Sequence, residues 1–587
     1  MKRIHYYIVC AFCAICGLSS CTDFLEIKPQ NEIILEQFWN EKADVDAIIA
    51  GCYSGLQSEA VIKRMMVWGE FRSDNIGPGS NISSDGNLEK VLKENIDAKN
   101  SYTNWGGFYT VINRCNTVIK YAPGVAADDP AYTESELQAN IAEMVALRSL
   151  CYFYLIRAFR DVPFSREAYI DDSQKMDLPA TKFDDVLDSL IFDLEGVQNM
   201  AIKRYPVTKE LYQTGRITQD AIHALLCELY LWKKDYNNCI RYADMVIESK
   251  KAIAEENRQK RSSSYSNEDM QERFNGFPLV TNTTSNSYFG DAYTTLFGRD
   301  RGNVDEVNQE IIFQLVFDDN PSDNGMPANG AVNSFYGNSN ATIGLVAPSD
   351  YIFSDIDKTS GRKVFADRNK KRDSRMYFNC DVDDKSINKY TTSTIDINVS
   401  GSTPEISYGS LYTQNQNGSN WIIYRLTDIM LLKAEALTQL VREGNEQETS
   451  EYNKSILDRA FTLVNAVNKR AVCQNQLVDT LRRNEYNSKG DMETLVLQER
   501  QRELMFEGKR WFDLVRLSQR TGNTSTLTEA ALAKATIGQG LISNHLAKMD
   551  AIYWPYNLDE MKVNLNLVQN PAFGSGENDS YEKTTKK

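Results

Sequence analysis

The sequence predicts a mostly α-helical protein, in which tetratricopeptide-like helix pairs stack into one scaffold and a long loop-rich insert with short β-strands interrupts them. Three observations point there. ITQDAIHALLCELYLWKK (217–234) and NNCIRYADMVIES (237–249) are two apolar-periodic segments joined by a short turn at Asp235-Tyr236, with Ala221, Ala224 and Ala243 as small contact residues. A second pair follows far downstream, in YRLTDIMLLKAEALTQLV (424–441) and YNKSILDRAFTLVNAVNKRA (452–471). Between the two pairs, residues 251–420 are rich in Ser, Asn, Gly and Asp, with only short strand-like runs such as EIIFQLVF (310–317). Helix pairs cannot bury their apolar faces alone, so they imply a shared α-solenoid core.

In order along the chain, FWNEKADVDAIIAGCYSGL (38–56) reads as a helix with Val45, Ile48, Ile49, Cys52, Tyr53 and Leu56 on one side. WGEFRSDN (68–75) leaves the helical pattern. Two strong helices follow, over Trp105–Ile119 and Glu134–Arg160, the second with a capping signal at Thr133–Glu136 and a stop at Pro163. A linker over 161–182 leads to the helix of FDDVLDSLIFDLEGV, and an irregular stretch then runs to Gly215-Arg216. Near the C-terminal end, LQERQRELMFEGKRWFDLVR (497–516) reads as one helix closing the array, with Leu497, Leu504, Trp511 and Val515 on its apolar stripe. Gly508 would allow a neighbour to approach at mid-helix.

Composition narrows the function classes. The net charge of −15 offers no basic stripe to neutralise phosphates, which excludes nucleic acid as a partner and suits a neutral or cationic ligand. Histidine is scarce at three residues, of which His5 lies in the leader, and neither His223 nor His545 stands in a ligand-spaced motif. There is no P-loop, GxGxxG, GxSxG or HExxH. No cofactor is expected. Asp318–Gly325 and Asp381–Asp384 are acidic enough for calcium but lack the spacing of a calcium loop with its closing glutamate. Excluding the leader and Cys21, seven cysteines remain (Cys52, Cys115, Cys151, Cys227, Cys239, Cys380, Cys473), without a CxxC, and they read as buried free thiols.

Residues 1–20 read as an export leader, with Lys2 and Arg3 before an apolar run too short to span a bilayer. It closes on Leu18-Ser19-Ser20-Cys21, which resembles a bacterial lipobox and makes Cys21 the expected lipidation site and mature N-terminus. An ordinary signal peptide that happens to contain Cys is the other reading.

Several blocks carry a wider resemblance. CTDFLEIKPQ after the lipid site, ALRSLCYFYLIRAFRDVPF, ERQRELMFEGKRWFDLVR and the ending YWPYNLDEMKVNLNLVQNPAFG together resemble the SusD/RagB family of Bacteroidetes outer-membrane nutrient-binding lipoproteins. The ending departs from the family pattern at Trp554-Pro555-Tyr556 and at Ala572-Phe573. The resemblance implies a SusD-like α-superhelix over 21–587. Its scaffold would occupy about 35–250 and 421–520, its ligand-binding insert about 251–420, and its C-terminal segment about 521–574. It also implies a lipid-anchored protein on the outer membrane facing the exterior, working with a SusC-like TonB-dependent transporter. Asp23 and Glu26 beside Cys21 fit a surface-export signal.

Three functions are open on these residues: an oligosaccharide-binding subunit of an uptake complex, the same architecture binding peptides, and a glycoside hydrolase. Glycan binding needs flat aromatic faces with amides and acids beside them. Within the insert, Tyr288 and Tyr293 (Asn286–Tyr293) and Phe335 and Tyr336 (Asn333–Asn340) supply that mixture. Trp68, Asp74, Asn75 and Trp105, at helix edges, are further candidates. Each of these aromatics also has the reading of a loop anchor. The hydrolase reading rests on Glu499, Glu503 and Glu507, spaced four apart, because a retaining glycosidase wants two acids roughly 5–5.5 Å apart. The competing reading is an ion-pair lattice, with Arg500 reaching Glu503 and Glu507 reaching Arg510.

Overall fold

The structure, a computed structural model, describes residues 38–574 apart from 172, 261–273, 282–287, 290, 299–303, 322–324, 354–363, 366–372, 382, 399–404, 443–445, 473–480 and 536. Cys21 and Cys473 lie outside the described residues. The principal helices are α1 (Lys42–Gln57), α2 (Glu59–Met66), α3 (Gly106–Asp128), α4 (Glu134–Phe159), α5 (Phe183–Val197), α6 (Gln219–Trp232), α7 (Tyr236–Lys260), α8 (Leu426–Gln439), α9 (Glu446–Ala471), α10 (Lys489–Leu504) and α11 (Arg510–Thr521). The helices stack in sequence: α1 on α3, α3 on α4, α4 on α5, α5 on α6, then α6 to α10 in turn. This is the predicted solenoid of helix pairs. Ala221, Ala224 and Ala243 are buried where α6 and α7 meet, because small side chains let two helix backbones approach.

Local signals set the helix ends. Thr133 and Glu136 form the expected capping box at the start of α4. That helix stops earlier than Pro163, at Arg160, whose φ of +68° leaves the helical region. The amide of Trp554 then donates to the freed Ala158 carbonyl at 2.8 Å, so the C-terminal segment seals α4. By length and composition α4 could cross a membrane, but 94% of its apolar window is buried inside the protein, which makes it a core helix.

Within 251–420 the polar sequence folds onto the scaffold through short antiparallel strands. These are β1 (Ile76–Pro78), β2 (Tyr288–Phe289), β3 (Ile311–Leu315), β4 (Val346–Pro348), β5 (Ile395–Asn398), β6 (Glu405–Tyr408) and β7 (Trp421–Arg425). β1 pairs with β4, β3 with β7, and β5 lies between β2 and β6. The expected EIIFQLVF strand is present as β3, although Glu310 belongs to the helix before it.

The stretch 497–516 is two helices, not one. α10 ends at Leu504, and Phe506 and Gly508 take left-handed φ values of +68° and +71° before α11 begins. Helical continuation fails because the Glu70 carboxylate collects the amides of Phe506, Gly508 and Lys509 at 2.9, 2.9 and 3.1 Å. Glu70 lies in a buried π-helical turn, Val67–Phe71, which follows α2. The two backbones touch there: a Cβ at Gly69 would sit 1.8 Å from the Gly508 carbonyl oxygen. Gly508 does allow a close approach, but at a helix junction. Leu504 and Trp511 face the core as expected, and the Arg72 guanidinium lies 4.3 Å from the Trp511 ring centroid.

The carboxylate column is a buried ion-pair lattice, but its partners come from across the fold. Glu503 takes Arg425 at 2.6 Å, Arg375 at 3.1 Å, Arg470 and the Tyr293 hydroxyl. Glu507 takes Arg425 and Lys389, and Glu499 takes Arg375 and the i+3 neighbour Arg502. The predicted local pairs do not form. Arg500 binds Asp428 and Asp513, and Arg510 binds Asp74 at 2.9 Å. Tertiary partners win because, in a dry interior, a bidentate guanidinium–carboxylate contact outweighs a looser helical neighbour.

Two predictions follow from this architecture. Gly69→Ala forces a methyl into the Gly508 backbone, so it is expected to cost at least about 2 kcal/mol, read as a fall in the urea midpoint; a wild-type midpoint would contradict the close approach. Acidification should also unfold the protein. Burial opposes ionisation of Glu499, Glu503 and Glu507, yet Arg375, Arg425, Arg470, Arg502 and Lys389 outweigh it and hold all three below the usual carboxylate range. Their folded pKa values thus lie below the unfolded value of about 4.3, so stability is full above that value and drains as pH falls toward the folded values. The urea midpoint should drop steeply between pH 5 and 3 (about the unfolded carboxylate range and below); a flat profile would contradict the lattice.

Candidate functional site

The structure buries nearly every aromatic and polar residue singled out as a ligand contact. Trp68, Asp74, Asn75, Trp105, Tyr293, Phe335 and Tyr336 are all between 0 and 3% exposed. Each has an internal task. The Trp68 indole donates to the Tyr102 carbonyl at 2.8 Å, Asp74 binds Arg510, and Asn75 bridges Glu70 and Gln501. Trp105 packs on Phe159 and Tyr556, Phe335 on Phe71, and the Tyr336 hydroxyl donates to the Phe506 carbonyl. Tyr293 stacks on Phe378 and reaches Glu503. These residues are loop anchors, and the ligand-contact expectation for them is corrected on burial. The backbone of Tyr288 pairs with Asn398, and its side chain lies outside the described residues.

The Glu499–Glu503–Glu507 column cannot act as a glycosidase pair. All three side chains are buried, and each carboxyl is held ionised by cations, whereas a general acid needs a raised pKa and a substrate beside it. His223 is a buried histidine on α6, 5.6 Å from the Tyr242 ring, and burial lowers its pKa. Six cysteines of the predicted thiol set are buried and free, Cys227 and Cys239 lying 3.7 Å apart.

An open groove of about 460 Å³ lies on the N-terminal half of the array. Its floor is one face of α1: Lys42, Asp46, Ile49, Ala50, Tyr53 and Gln57, a stripe at helical spacing that spans about 22 Å at 1.5 Å per residue. One wall comes from the first turns of α4, with Glu136, Ala139 and Asn140. The other is the irregular segment from Ile202 to Arg216, which contributes Tyr205, Lys209, Leu211 and Tyr212, and Val316 just past β3 closes one side.

The groove is held open by a buried hub. Glu143 on α4 receives the Arg216 guanidinium through Nε at 2.8 Å and through Nη2, and the Tyr53 hydroxyl donates to the same carboxylate. The Tyr53 oxygen in turn accepts from the Ile217 amide at 2.9 Å. Burial, then Glu143, pushes the Tyr53 hydroxyl well above the ordinary phenol range, so it stays protonated. Arg216 backs the aromatic wall, its guanidinium 5.3 Å from the Tyr212 centroid and 5.9 Å from that of Tyr205. The two tyrosines meet edge to face at 5.6 Å, and Tyr212 keeps 40% of its surface exposed. A Cβ at Gly215 would fall 2.7 Å from Val316, so glycine is what lets this segment lie against the strand.

None of these groove residues was singled out from the sequence as a site. Tyr53 was placed on the apolar face of its helix, and the segment before Gly215-Arg216 was left as an irregular stretch. The available signal was two tyrosines in that stretch, opposite a helix whose outer face carries an aromatic.

Comparisons with known proteins agree with this architecture. The SusD family profile matches residues 309–573, and a second profile, described as starch-binding associating with outer membrane, matches residues 23–231. SusD-like protein P38 of Formosa agariphila is 26% identical over 592 residues, covering 95% of this chain and 96% of that one. Among solved structures, the surface glycan-binding protein A of Bacteroides uniformis superposes with a TM-score of 0.58 at 19% identity, over 91% of this chain and all of that one. A laminarin-binding SusD-like protein superposes with a TM-score of 0.55 at 17% identity, over 91% and 100% of the two chains. At these identities the superpositions speak for the fold, while the two profiles span both halves of the sequence. The chain belongs to the SusD/RagB family.

Proposed function

We propose that this protein is a surface lipoprotein of the outer membrane that captures an oligosaccharide and passes it to a partner TonB-dependent transporter of the SusC type. The observation that carries the proposal is the groove, which lines an exposed tyrosine with amide, carboxylate and ammonium groups in a family whose second profile is described as starch-binding. Aromatic faces take the C–H side of a sugar ring, and Gln57, Asn140, Lys42 and Asp46 offer donors and acceptors for hydroxyls. Two neighbours of the same fold carry glycan-binding names, which supports the same reading. The role is binding without catalysis, since no paired acid in the described residues meets the needs of glycoside hydrolysis. Cys21 would tether the protein through its lipid, each buried methylene contributing about 0.8 kcal/mol.

Affinity gels and calorimetry with a panel of polysaccharides and peptides test the capture reading. Retardation by at least one glycan is expected; binding to peptides with none to any glycan would overturn it in favour of a peptide carrier. Membrane fractionation tests the anchor. Cys21→Ser is expected to move the protein out of the outer-membrane fraction, and full retention there would remove Cys21 from its assigned role.

A further inference from the structure

The groove's charges carry an inference about its ligand that rests on the oligosaccharide reading. Five ionisable side chains line it: Lys42, Asp46, Glu136, Lys209 and Arg216. Three of them are already neutralised by the protein. Lys42 pairs with Glu136 across the groove, and its hydrogen bond holds that carboxyl below the usual range. Arg216 is spent on Glu143, a carboxylate that is 4% exposed, and the contact raises the Arg216 pKa against the effect of burial. Among the described residues, Asp46 and Lys209 then stand without an ion-pair partner, one of each sign.

We propose that the groove along α1 selects an uncharged oligosaccharide, stacked on Tyr212 and screened from acidic sugars by its internally paired charges and by Asp46. A sulfated or uronate chain would find only Lys209 to answer its charge, and would lie beside Asp46 on a protein of net charge −15. Drawing Arg216 toward such a ligand would strip Glu143 of its partner and leave a buried carboxylate with Tyr53 alone. A neutral sugar needs none of this. It uses the exposed Tyr212 face, whose ring is already fixed from behind by Arg216 and from the side by Tyr205, so little ordering is required on binding. Lys209, with its ammonium 5.7 Å from the Tyr212 centroid, lies at the edge of this platform and does not form the hub.

The test is calorimetry on the full mature chain with matched neutral, uronate and sulfated oligosaccharides, in low and high salt, using wild type, Tyr212→Ala, Tyr212→Phe and Lys209→Glu. Tyr212 is half out in solvent, so its variants should keep the wild-type melting temperature, which is checked first. The expected result is tight binding of a neutral chain, changed less than about twofold between ~0.05 and ~0.5 M salt. Tyr212→Ala should weaken it at least about tenfold, with Tyr212→Phe and Lys209→Glu near wild type. Tighter binding of an acidic chain, lost with salt and with Lys209→Glu, would overturn the selectivity while leaving glycan capture standing. Glycan binding untouched by Tyr212→Ala would overturn the groove as the site. Absence of binding to every glycan would bring down the capture reading itself, and this inference with it.

Discussion

The contact on which the rest of the fold depends is the Glu70 carboxylate bound to the amides that join α10 to α11. Those amides have no helical partners, because Phe506 and Gly508 leave the right-handed region. A buried N–H without an acceptor costs about 1–3 kcal/mol, so the junction can exist only where an acceptor is delivered to it. The acceptor arrives from more than four hundred residues away in sequence, on a π-helical turn that points Glu70 inward, with Gly69 stripped of any side chain so that the backbones can meet. Asn75 braces the same carboxylate at 2.7 Å and is itself held by Gln501 of α10. The first and last thirds of the chain are therefore locked together by a contact that neither third could stabilise alone.

Around that junction the protein buries an unusual amount of charge, and its cost decides how the lattice can work. An ion pair taken out of water gains only if its remaining donors and acceptors are satisfied, and replacing such a pair with packed apolar groups is often neutral or better for stability. Here Glu503 alone gathers guanidinium groups from β7, from the Arg375–Asn379 turn of helix and from α9, together with the Tyr293 hydroxyl. Removing any one leaves uncompensated charge. The lattice thus serves less as a source of stability than as a register, because only one placement of four separate segments satisfies all of its members. The same features, several acids in a row with shifted pKa values, are what make such a lattice look like an active site in sequence.

How much was legible follows from the length scale of each signal. The helix pairs were readable because an apolar stripe repeats locally, and Ala221, Ala224 and Ala243 lie at contacts for a reason that lies within their own segments. The capping box at Thr133 and Glu136 was readable for the same reason. The helix break at 505–509 was not, since its cause is Glu70. Nor were the roles of Tyr293, Phe335 and Tyr336, whose polar surroundings in sequence suggested exposure. The polar residues instead make turns and hydrogen bonds at the rim, while the aromatics supply the apolar area that holds a loop-rich insert on its scaffold. The groove escaped notice because it is assembled from α1, α4 and a loop about 60 residues further on, each ordinary by itself.

The groove and the lattice are joined by the β3–β7 ribbon. At one end of β3, Glu310 accepts Arg470 at 2.6 Å and Arg425 of β7 reaches Glu503, so this end is fixed by the lattice. At the other end, Gln314 donates to Thr214 at 3.0 Å, the Val316 carbonyl accepts from Gln57, and Val316 presses on Gly215. The segment that carries Tyr212 and Arg216 is thereby tied to a strand that cannot shift without breaking buried ion pairs. Binding loops are ordinarily the softest part of a fold, and ordering them on contact with ligand reduces affinity. In this protein the rigidity of the charged core is carried along five residues of strand to one wall of the groove, so the aromatic platform is set before any ligand arrives. The residues that face the groove can then vary with little effect on the fold, while those behind it, Glu143, Arg216, Gly215 and Gln57, are bound to the architecture.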